Sequence, residues 1–236
     1  METNNSSPVL ITGASNGIGY ATALQLCKNG VAVVALSRNK DNLEALRKEA
    51  GDACTTLKFD LLNEKPDTIQ TKLAESGITS LQGVVHNAGL LINKPFSEIN
   101  SDELLSIYRT NVFAPFHLTQ ALLPLLKKSK QSHIVHISSM GGVQGSVKFP
   151  GLSAYSSSKG ALSILTECLA LELKEFNISV NCLALGAVQT EMLSQAFPGY
   201  QAPTRPAEMA SWIAWFVTTG NKFFNGKILP VAISTP

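Results

Sequence analysis

Residues 154–176 contain the stretch Tyr155-Ser-Ser-Ser-Lys159. Ala161, Leu162, Leu165, Leu169, Ala170 and Leu173 recur there at three- and four-residue steps, the spacing of a long amphipathic helix. Positions i and i+4 lie one turn apart on the same helix face. Tyr155 and Lys159 are therefore expected to share a face, with the ammonium close to the phenol edge and a ligand between them. A phenol ordinarily ionises near pH 10. A unit charge at roughly 4 Å in a partly buried site is worth up to about 4 kcal/mol, enough to draw that value down by up to roughly 3 pH units. The chemistry expected of such a pair is proton exchange with a substrate oxygen. Alone, so short a motif is far more often an interface tyrosine beside a solvated lysine, so partners elsewhere must decide.

The elements that must position this pair follow from the order of apolar runs and chain breakers. Residues 9–12 form a short apolar run, followed by Gly13-Ala-Ser15-Asn16-Gly17-Ile18-Gly19 and a helical pattern through Ala23, Leu24 and Cys27 to Gly30. A strand, glycine turn and helix in this order bring the backbone close to a ligand and aim the free N–H groups of a helix start at a pyrophosphate. Residues 31–36 read as a second buried strand, at whose end a dinucleotide's adenosine ribose is expected; Ser37-Arg38 stands there. An acidic residue would hydrogen-bond the 2′-hydroxyl of NAD, whereas a guanidinium beside a hydroxyl suits the 2′-phosphate of NADP. NADP(H) is thus favoured and NAD(H) is the weaker alternative. A third strand, 55–59, ends at Asp60-Leu61, where Asp60 is placed to accept from an adenine amino group or to cap a turn. A helix is expected over 64–76. A fourth strand, 81–86, closes on Asn87-Ala88-Gly89, small residues that let a turn sit beside the cofactor, with Asn87 bracing the sheet.

Residues 101–128 carry a long helical pattern interrupted by Asn111 and Pro115. A proline lacks an N–H and a mid-helix Asn competes for backbone bonds, so a kink that can hold a carbonyl or a water is expected. Residues 133–138 predict a fifth strand that delivers Ser139 just beyond its C-terminal end, where open α/β sheets bind ligands. A loop over 143–153 leads back to Tyr155. A sixth strand (178–184), a loop (185–190), a mobile stretch (191–203), a helix (206–219) and a closing strand (227–231) complete the chain. The alternation predicts an α/β fold: a doubly wound parallel sheet in three layers, forming one domain over 1–236, with 1–7 a flexible leader and 191–203 a substrate lid.

Composition narrows the partners. The chain has 236 residues and a net charge of +2, with no basic cluster larger than Lys127-Lys128. Electrostatic binding to nucleic acid or to an anionic membrane is not indicated. Charged residues make up 15% and hydrophobic residues 44%. That balance leaves apolar surface for subunit contacts. Cys27, Cys54, Cys168 and Cys182 are widely spaced, without a metal-ligand pattern or a His cluster, and read as reduced core residues. With no secretory leader or membrane-length apolar run, the chain reads as a soluble cytoplasmic protein.

With the glycine turn, Asn87-Ala-Gly89, Asn111, Ser139 and Tyr155-x-x-x-Lys159 in this order, the chain resembles the short-chain dehydrogenase/reductase family over nearly its whole length. The resemblance implies a Rossmann-type sheet and hydride transfer between NADP(H) and a carbonyl or alcohol. Asn111, Ser139, Tyr155 and Lys159 would be its catalytic residues. In the reductive direction Tyr155 would give its proton to the substrate oxygen and Ser139 would hydrogen-bond that oxygen. Lys159 would lower the Tyr155 pKa and hold the nicotinamide ribose, and Asn111 would anchor a proton-relaying water. Gly186, Val188 and Thr190 would flank the nicotinamide, with the Val188 backbone and Thr190 hydroxyl holding its carboxamide. Similar members act on 3-oxoacyl thioesters, ketosteroids, sugars or small ketones, and form homodimers or homotetramers through two long helices.

Three departures stand out. Leu185-Gly186 replaces the family's Pro-Gly, which predicts a more mobile loop. Val231-Ala-Ile-Ser-Thr-Pro236 replaces its C-terminal Asp-Gly-Gly, which bears on the end-to-end subunit contact. The connection from Ser139 to Tyr155 is a few residues longer than is common. Met192, Leu193, Phe197 and Tyr200 in the expected lid suggest an apolar or acyl-like carbonyl substrate. Two other classes fit parts of the pattern: a non-catalytic dinucleotide sensor or scaffold, which has no need of all four catalytic residues, and an NAD-linked dehydrogenase working oxidatively.

Overall fold

Each βα alternation expected from the apolar runs is formed. The computed structural model describes residues 7–233, so residues 1–6 of the expected leader and 234–236 of the C-terminal departure lie outside the described residues. Among the described residues seven strands are present: β1 (Val9–Thr12), β2 (Val33–Ser37), β3 (Cys54–Lys58), β4 (Gly83–His86), β5 (Ser132–Ser139), β6 (Ile178–Leu185) and β7 (Ile228–Val231). They lie in the order β3-β2-β1-β4-β5-β6-β7, and every neighbouring pair is parallel. Eight α-helices accompany them among the described residues: α1 (Gly17–Lys28), α2 (Lys40–Ala50), α3 (Thr68–Glu75), α4 (Ser101–Tyr108), α5 (Ala114–Leu126), α6 (Ser153–Glu172), α7 (Glu191–Ala196) and α8 (Pro206–Thr219).

Strands buried on both faces need helices on both faces. On one side, Ala23 and Leu26 of α1, Leu43 and Leu46 of α2, and Ile213 and Phe216 of α8 pack on Val9, Ile11, Val33 and Ala35. On the other, Ile69 and Leu73 of α3, Leu118 and Leu122 of α5 and Ala170 of α6 pack on Leu10, Val34, Val84 and Ile134. The chain winds outward from β1 to β3, then returns and winds the other way from β4. The order therefore reverses between β1 and β4, and beyond their carboxyl ends a crevice opens.

Several boundaries differ from the sequence expectation, each for a local reason. α3 begins at Thr68 rather than at 64. Glu64 is held in a turn, its carboxylate accepting from Asp60 N–H at 2.8 Å and its own N–H reaching Asp60 O at 3.0 Å. Pro66 disfavours helical geometry at Lys65. The long helix over 101–128 is two helices joined by a π-helical turn, Arg109–Phe113, centred on Asn111. Pro115 sits in the first turn of α5, where a missing N–H is tolerated, so the break belongs to the Asn111 turn. The stretch 191–203, expected to be mobile, opens with α7, capped by the Thr190 hydroxyl, which accepts from Leu193 N–H at 3.2 Å. Leu185 belongs to β6, not to the loop expected over 185–190, pairing with Ser139 and Val231, and is 5% exposed.

The buried stripe of α6 is more polar than its leucine spacing suggested. Ser158, Lys159, Ser163 and Thr166 face inward beside Leu162. Each is matched by a partner across the interface, as buried polar groups require.

Candidate active site

The glycine turn after β1 is shaped by close backbone contact. Gly13 has φ +66°, and a Cβ there would lie 2.9 Å from Ala88 Cα, so only glycine fits. A Cβ at Gly19 would overlap both Asn87 Nδ2 and Gly13 O, which explains why the helix start can nest against the 87–89 turn. Asn87 braces the two turns as expected: its Nδ2 donates to Thr12 O at 3.1 Å and to Gly13 O at 3.2 Å. Thr12 was not singled out from the sequence. Its hydroxyl accepts from both Asn87 N–H and Ala88 N–H at 3.0 Å, clipping β1 to the turn after β4. The start of α1 has no side-chain cap at Asn16 and no acidic residue in its first turn. Its free N–H groups thus face the crevice as an anion site.

A cavity of about 780 Å³ runs along the carboxyl ends of the strands. Ser15, Asn16, Gly17 and Ile18 line its floor, and Ser37, Arg38, Asp60 and Leu61 line one end. Ala88, Gly89, Ser139, Tyr155, Lys159, Gly186, Val188 and Thr190 line the other. Of the residues singled out from the sequence, Gly19 and Asn111 lie behind this wall and shape it from there.

At the Arg38 end, Asp60 is already engaged. Its carboxylate accepts from Leu62 N–H at 2.9 Å and from Asn63 Nδ2 at 2.9 Å. Burial alone would raise its pKa, but these bonds and the Arg38 charge outweigh burial and hold it below the usual range. Of its two expected roles, capping the turn is the one this geometry displays. Arg38 is exposed, and the Ser37 hydroxyl accepts from Asn39 N–H at 3.4 Å.

At the other end α6 carries Tyr155 and Lys159 on one face, with Lys159 Nζ 5.8 Å from the centre of the Tyr155 ring. Lys159 is 4% exposed, and its Nζ donates to Ile137 O at 2.8 Å. Nζ also lies beside Gly89, where a Cβ would approach it to 3.4 Å. The electrostatics differ from the sequence expectation. Burial pushes the Tyr155 phenol up to about 12, offset only in part by its hydrogen bond with Ser139. Burial likewise pushes Lys159 down to about 8. In this water-poor corner the cost of removing charge from solvent exceeds the attraction across the pair.

Asn111 joins the two halves of this corner. It is fully buried; its Oδ1 accepts from Leu90 N–H at 2.8 Å, and its Nδ2 donates to Leu90 O and Ser158 Oγ, both at 2.9 Å. The π-helical turn thus fixes the 87–90 segment to α6 one residue before Lys159. Gly142 does similar work from the loop after β5. A Cβ there would lie 2.6 Å from the Lys159 carbonyl carbon, so the loop carrying Ser139 seats directly on the helix backbone. Only the Gly-Gly at 141–142 hints at this contact in the sequence.

Around the third flank, Gly186 N–H donates to Val231 O at 2.9 Å, and Val188 pairs with Thr204. The Thr190 methyl lies over Gly17, 3.5 Å from where a Cβ would stand, closing the crevice from above. Phe149 meets Phe197 edge-on at 6.0 Å, and Asn93 Nδ2 donates to Ala196 O at 2.7 Å. Loops from three strand ends therefore converge over the Tyr155 end.

Beneath Lys159 the sheet register sets His86 of β4 opposite His136 of β5, ring centres 5.1 Å apart, a pair invisible in sequence spacing. Burial lowers His86 to about 3 and holds His136 well below its ordinary value, so both are neutral. Among the described residues no group of His, Cys, Asp or Glu is arranged to hold a metal ion, and no helix is long and apolar enough to cross a membrane.

The family model described as short chain dehydrogenase matches residues 7–201. The chain is 31% identical over 245 residues to cyclopentanol dehydrogenase of Comamonas sp. (strain NCIMB 9872), covering 96% of each. It superposes with a TM-score of 0.87 on a short chain dehydrogenase of Shigella flexneri 2A str. 301 complexed with NADP, at 32% identity and covering 96% of this chain and 97% of that one. The TM-score is also 0.87 to the 3-ketoacyl-(acyl-carrier-protein) reductase of Brucella melitensis complexed with NADH, at 26% identity and the same coverage.

Proposed function

The chain belongs to the short chain dehydrogenase family of oxidoreductases, and on that premise we propose that it is an NADP(H)-dependent carbonyl reductase or alcohol dehydrogenase with Tyr155 as its acid and base. One observation carries the reading. A single crevice runs from Arg38 over the uncapped start of α1 to Ser139, Tyr155 and Lys159, and Gly13 and Gly17 of the turn line it with bare backbone. That shape fits a dinucleotide: anion-binding N–H groups stand midway, a cation beside a hydroxyl at one end, and proton-transfer groups at the other. The NADP complex of the Shigella relative supports the same cofactor here, as does Arg38 in place of an acidic residue.

Bound NADP(H) supplies or accepts the hydride. The chain's residues handle position and protons. Gly13, Ser15, Asn16, Gly17 and Ile18 cradle the pyrophosphate, with Gly19 packing the helix start behind them; Ser37, Arg38, Asp60 and Leu61 surround the adenosine. Asn87, Ala88 and Gly89, with Gly186, Val188 and Thr190, flank the nicotinamide. A phenol pushed up to about 12 keeps its proton at neutral pH, so Tyr155 stands ready to protonate a carbonyl oxygen at Oη. Ser139, in hydrogen bond with that phenol, is placed to orient the same oxygen. Lys159, mostly charged at pH 7 even with its pKa near 8, stabilises the tyrosinate left behind. Asn111 holds the 87–90 segment and α6 in register for these roles.

The substrate end is lined by Leu91, Met140, Phe149, Leu152, Met192 and Phe197. This supports a neutral, apolar carbonyl or alcohol, in keeping with the named substrate of the Comamonas relative, with 191–203 as its cover. Exposed Leu104, Leu105, Phe113 and Phe116 on α4–α5, with Ile164 and Leu171 on α6, support a homodimer or homotetramer. Four free cysteines fit a cytoplasmic location. The test is the Tyr155→Phe variant assayed with NADPH and a panel of neutral ketones. Unchanged NADPH affinity with turnover down at least about 100-fold is expected; undiminished turnover would refute the assignment of Tyr155.

A further inference from the structure

The cover over the Tyr155 end is an excursion of the chain that leaves and returns at one place. At its base Val188 pairs with Thr204, Gln189 N–H donates to Thr204 O at 2.9 Å, and Ala202 N–H donates to Gln189 Oε1 at 2.7 Å. From this base α7 carries Met192 and Leu193 over the cavity. Its far end, Ala196 and Phe197, is met by two other loops. Asn93, on the segment after β4, donates from Nδ2 to Ala196 O at 2.7 Å, and Phe149, on the loop before Tyr155, meets the Phe197 ring edge-on. These two loops are fastened to each other. Lys94 N–H donates to Gly151 O at 3.0 Å, and a Cβ at Gly151 would collide with Asn93 Oδ1. Behind them Lys94 Nζ pairs with Glu103 of α4 at 3.0 Å. One side of the contact is thus braced, and the other is a six-residue helix standing on its base.

We propose that Asn93 is the catch of this lid, a positioning residue whose hydrogen bond to Ala196 O must break before a ligand can pass the Tyr155 end of the crevice. The inference rests on the reading above, which puts the nicotinamide and the substrate beneath α7. The bond suits a catch because it is weak and held firmly on one side. Asn93 is exposed, so water can take its place when α7 lifts, and only the modest net strength of one hydrogen bond is lost. The chain beyond α7 can follow the movement. Pro198, Gly199 and Gln201 are exposed, and a Cβ at Gly199 would meet nothing within 4 Å. Opening about the base carries Met192, Leu193 and Phe197 away from the cavity they line. A lid that is shut most of the time governs rates and leaves affinity alone. Entry and escape both scale with the open fraction, so loss of the catch speeds both and preserves their ratio.

The test uses the full chain and its Asn93→Asp and Asn93→Ala variants. Aspartate keeps the shape of the side chain and offers Ala196 O no donor. Hydrogen exchange of the ligand-free chain, read by mass spectrometry on peptides spanning 190–197, should quicken about 5-fold in both variants, with β4, β5 and α6 unchanged. In a stopped-flow chase with excess oxidised NADP, NADPH should leave the variants faster by a similar factor, its Kd staying within about 2-fold of the parent value. Unchanged exchange over 190–197 would overturn the inference, as would a Kd that weakens in step with the dissociation rate. Bound NADPH should also slow exchange over 190–197 in the parent. If it does not, the nicotinamide is misplaced in the reading above and the inference falls with it. If it does, and the variants release NADPH no faster, the catch alone is overturned and the reductase reading stands.

Discussion

Replacing Lys159 by methionine should make the protein more stable at neutral pH while removing its activity. Lys159 is 4% exposed, and its ammonium donates one hydrogen bond, to Ile137 O. Burial lowers its pKa from 10.5 to about 8; at about 1.4 kcal/mol per pH unit, keeping it charged in the fold costs about 3 kcal/mol. Methionine fills similar space without the charge. The lost hydrogen bond is worth about 1 kcal/mol, so the variant should gain about 2 kcal/mol at pH 7. The gain must vary with pH in one direction. Below about 8 the lysine is charged in both folded and unfolded chains, and the full cost is present. Between about 8 and 10.5 only the unfolded chain still binds the proton, so the parent gains stability as pH rises and the advantage of the variant fades. Tyr155 works the other way from about 10 to 12 in both proteins and cancels in the comparison. Urea unfolding of both, followed by the fluorescence of Trp212 and Trp215, measures this at pH 7 and at half-unit steps to pH 10. A variant less stable than its parent at pH 7, or a gap that does not narrow between pH 8 and 10, would refute the reading of Lys159 as a charge held in the fold at a cost.

Three further outcomes are expected. Asn111→Ala leaves Leu90 N–H, Leu90 O and Ser158 Oγ without their buried partner; it should cost about 3 kcal/mol or more by urea unfolding, and a loss under about 1 kcal/mol would mean that water replaces the amide. Arg38→Ala should weaken NADPH binding at least about 10-fold in a fluorescence titration and leave NADH nearly unchanged, since only the former carries the phosphate; equal losses would remove the NADP assignment. Gly142→Ala brings a methyl against the Lys159 backbone; lowered thermal stability, by about 1–3 kcal/mol, should accompany a fall in kcat as the loop bearing Ser139 is pushed off α6, and unchanged values for both would show that the loop has room.

What could be read in the chain was whatever is carried by neighbours in sequence. The glycine turn between β1 and α1, the four-residue step from Tyr155 to Lys159, the small residues after β4 and the alternation of apolar runs are local patterns. They determined the parallel α/β architecture and the set of residues that gather along the crevice. Helix starts were less legible where a turn competed, as at Glu64, whose side chain closes onto Asp60 instead of opening a helix. The kink at Asn111 was foreseeable from residue type, but its partner was not. Leu90 is 21 positions away, and only the fold brings its backbone under the amide. The same holds for Thr12 with Asn87, for Gly142 under Lys159 and for His86 opposite His136. The Tyr155 phenol marks the sharpest division. Spacing on a helix correctly placed a lysine one turn away and led to an expected fall in its pKa, yet the phenol lies near 12. Proximity along a helix is a property of sequence, whereas the solvent lost around both groups depends on everything that packs over them, and desolvation is the larger effect.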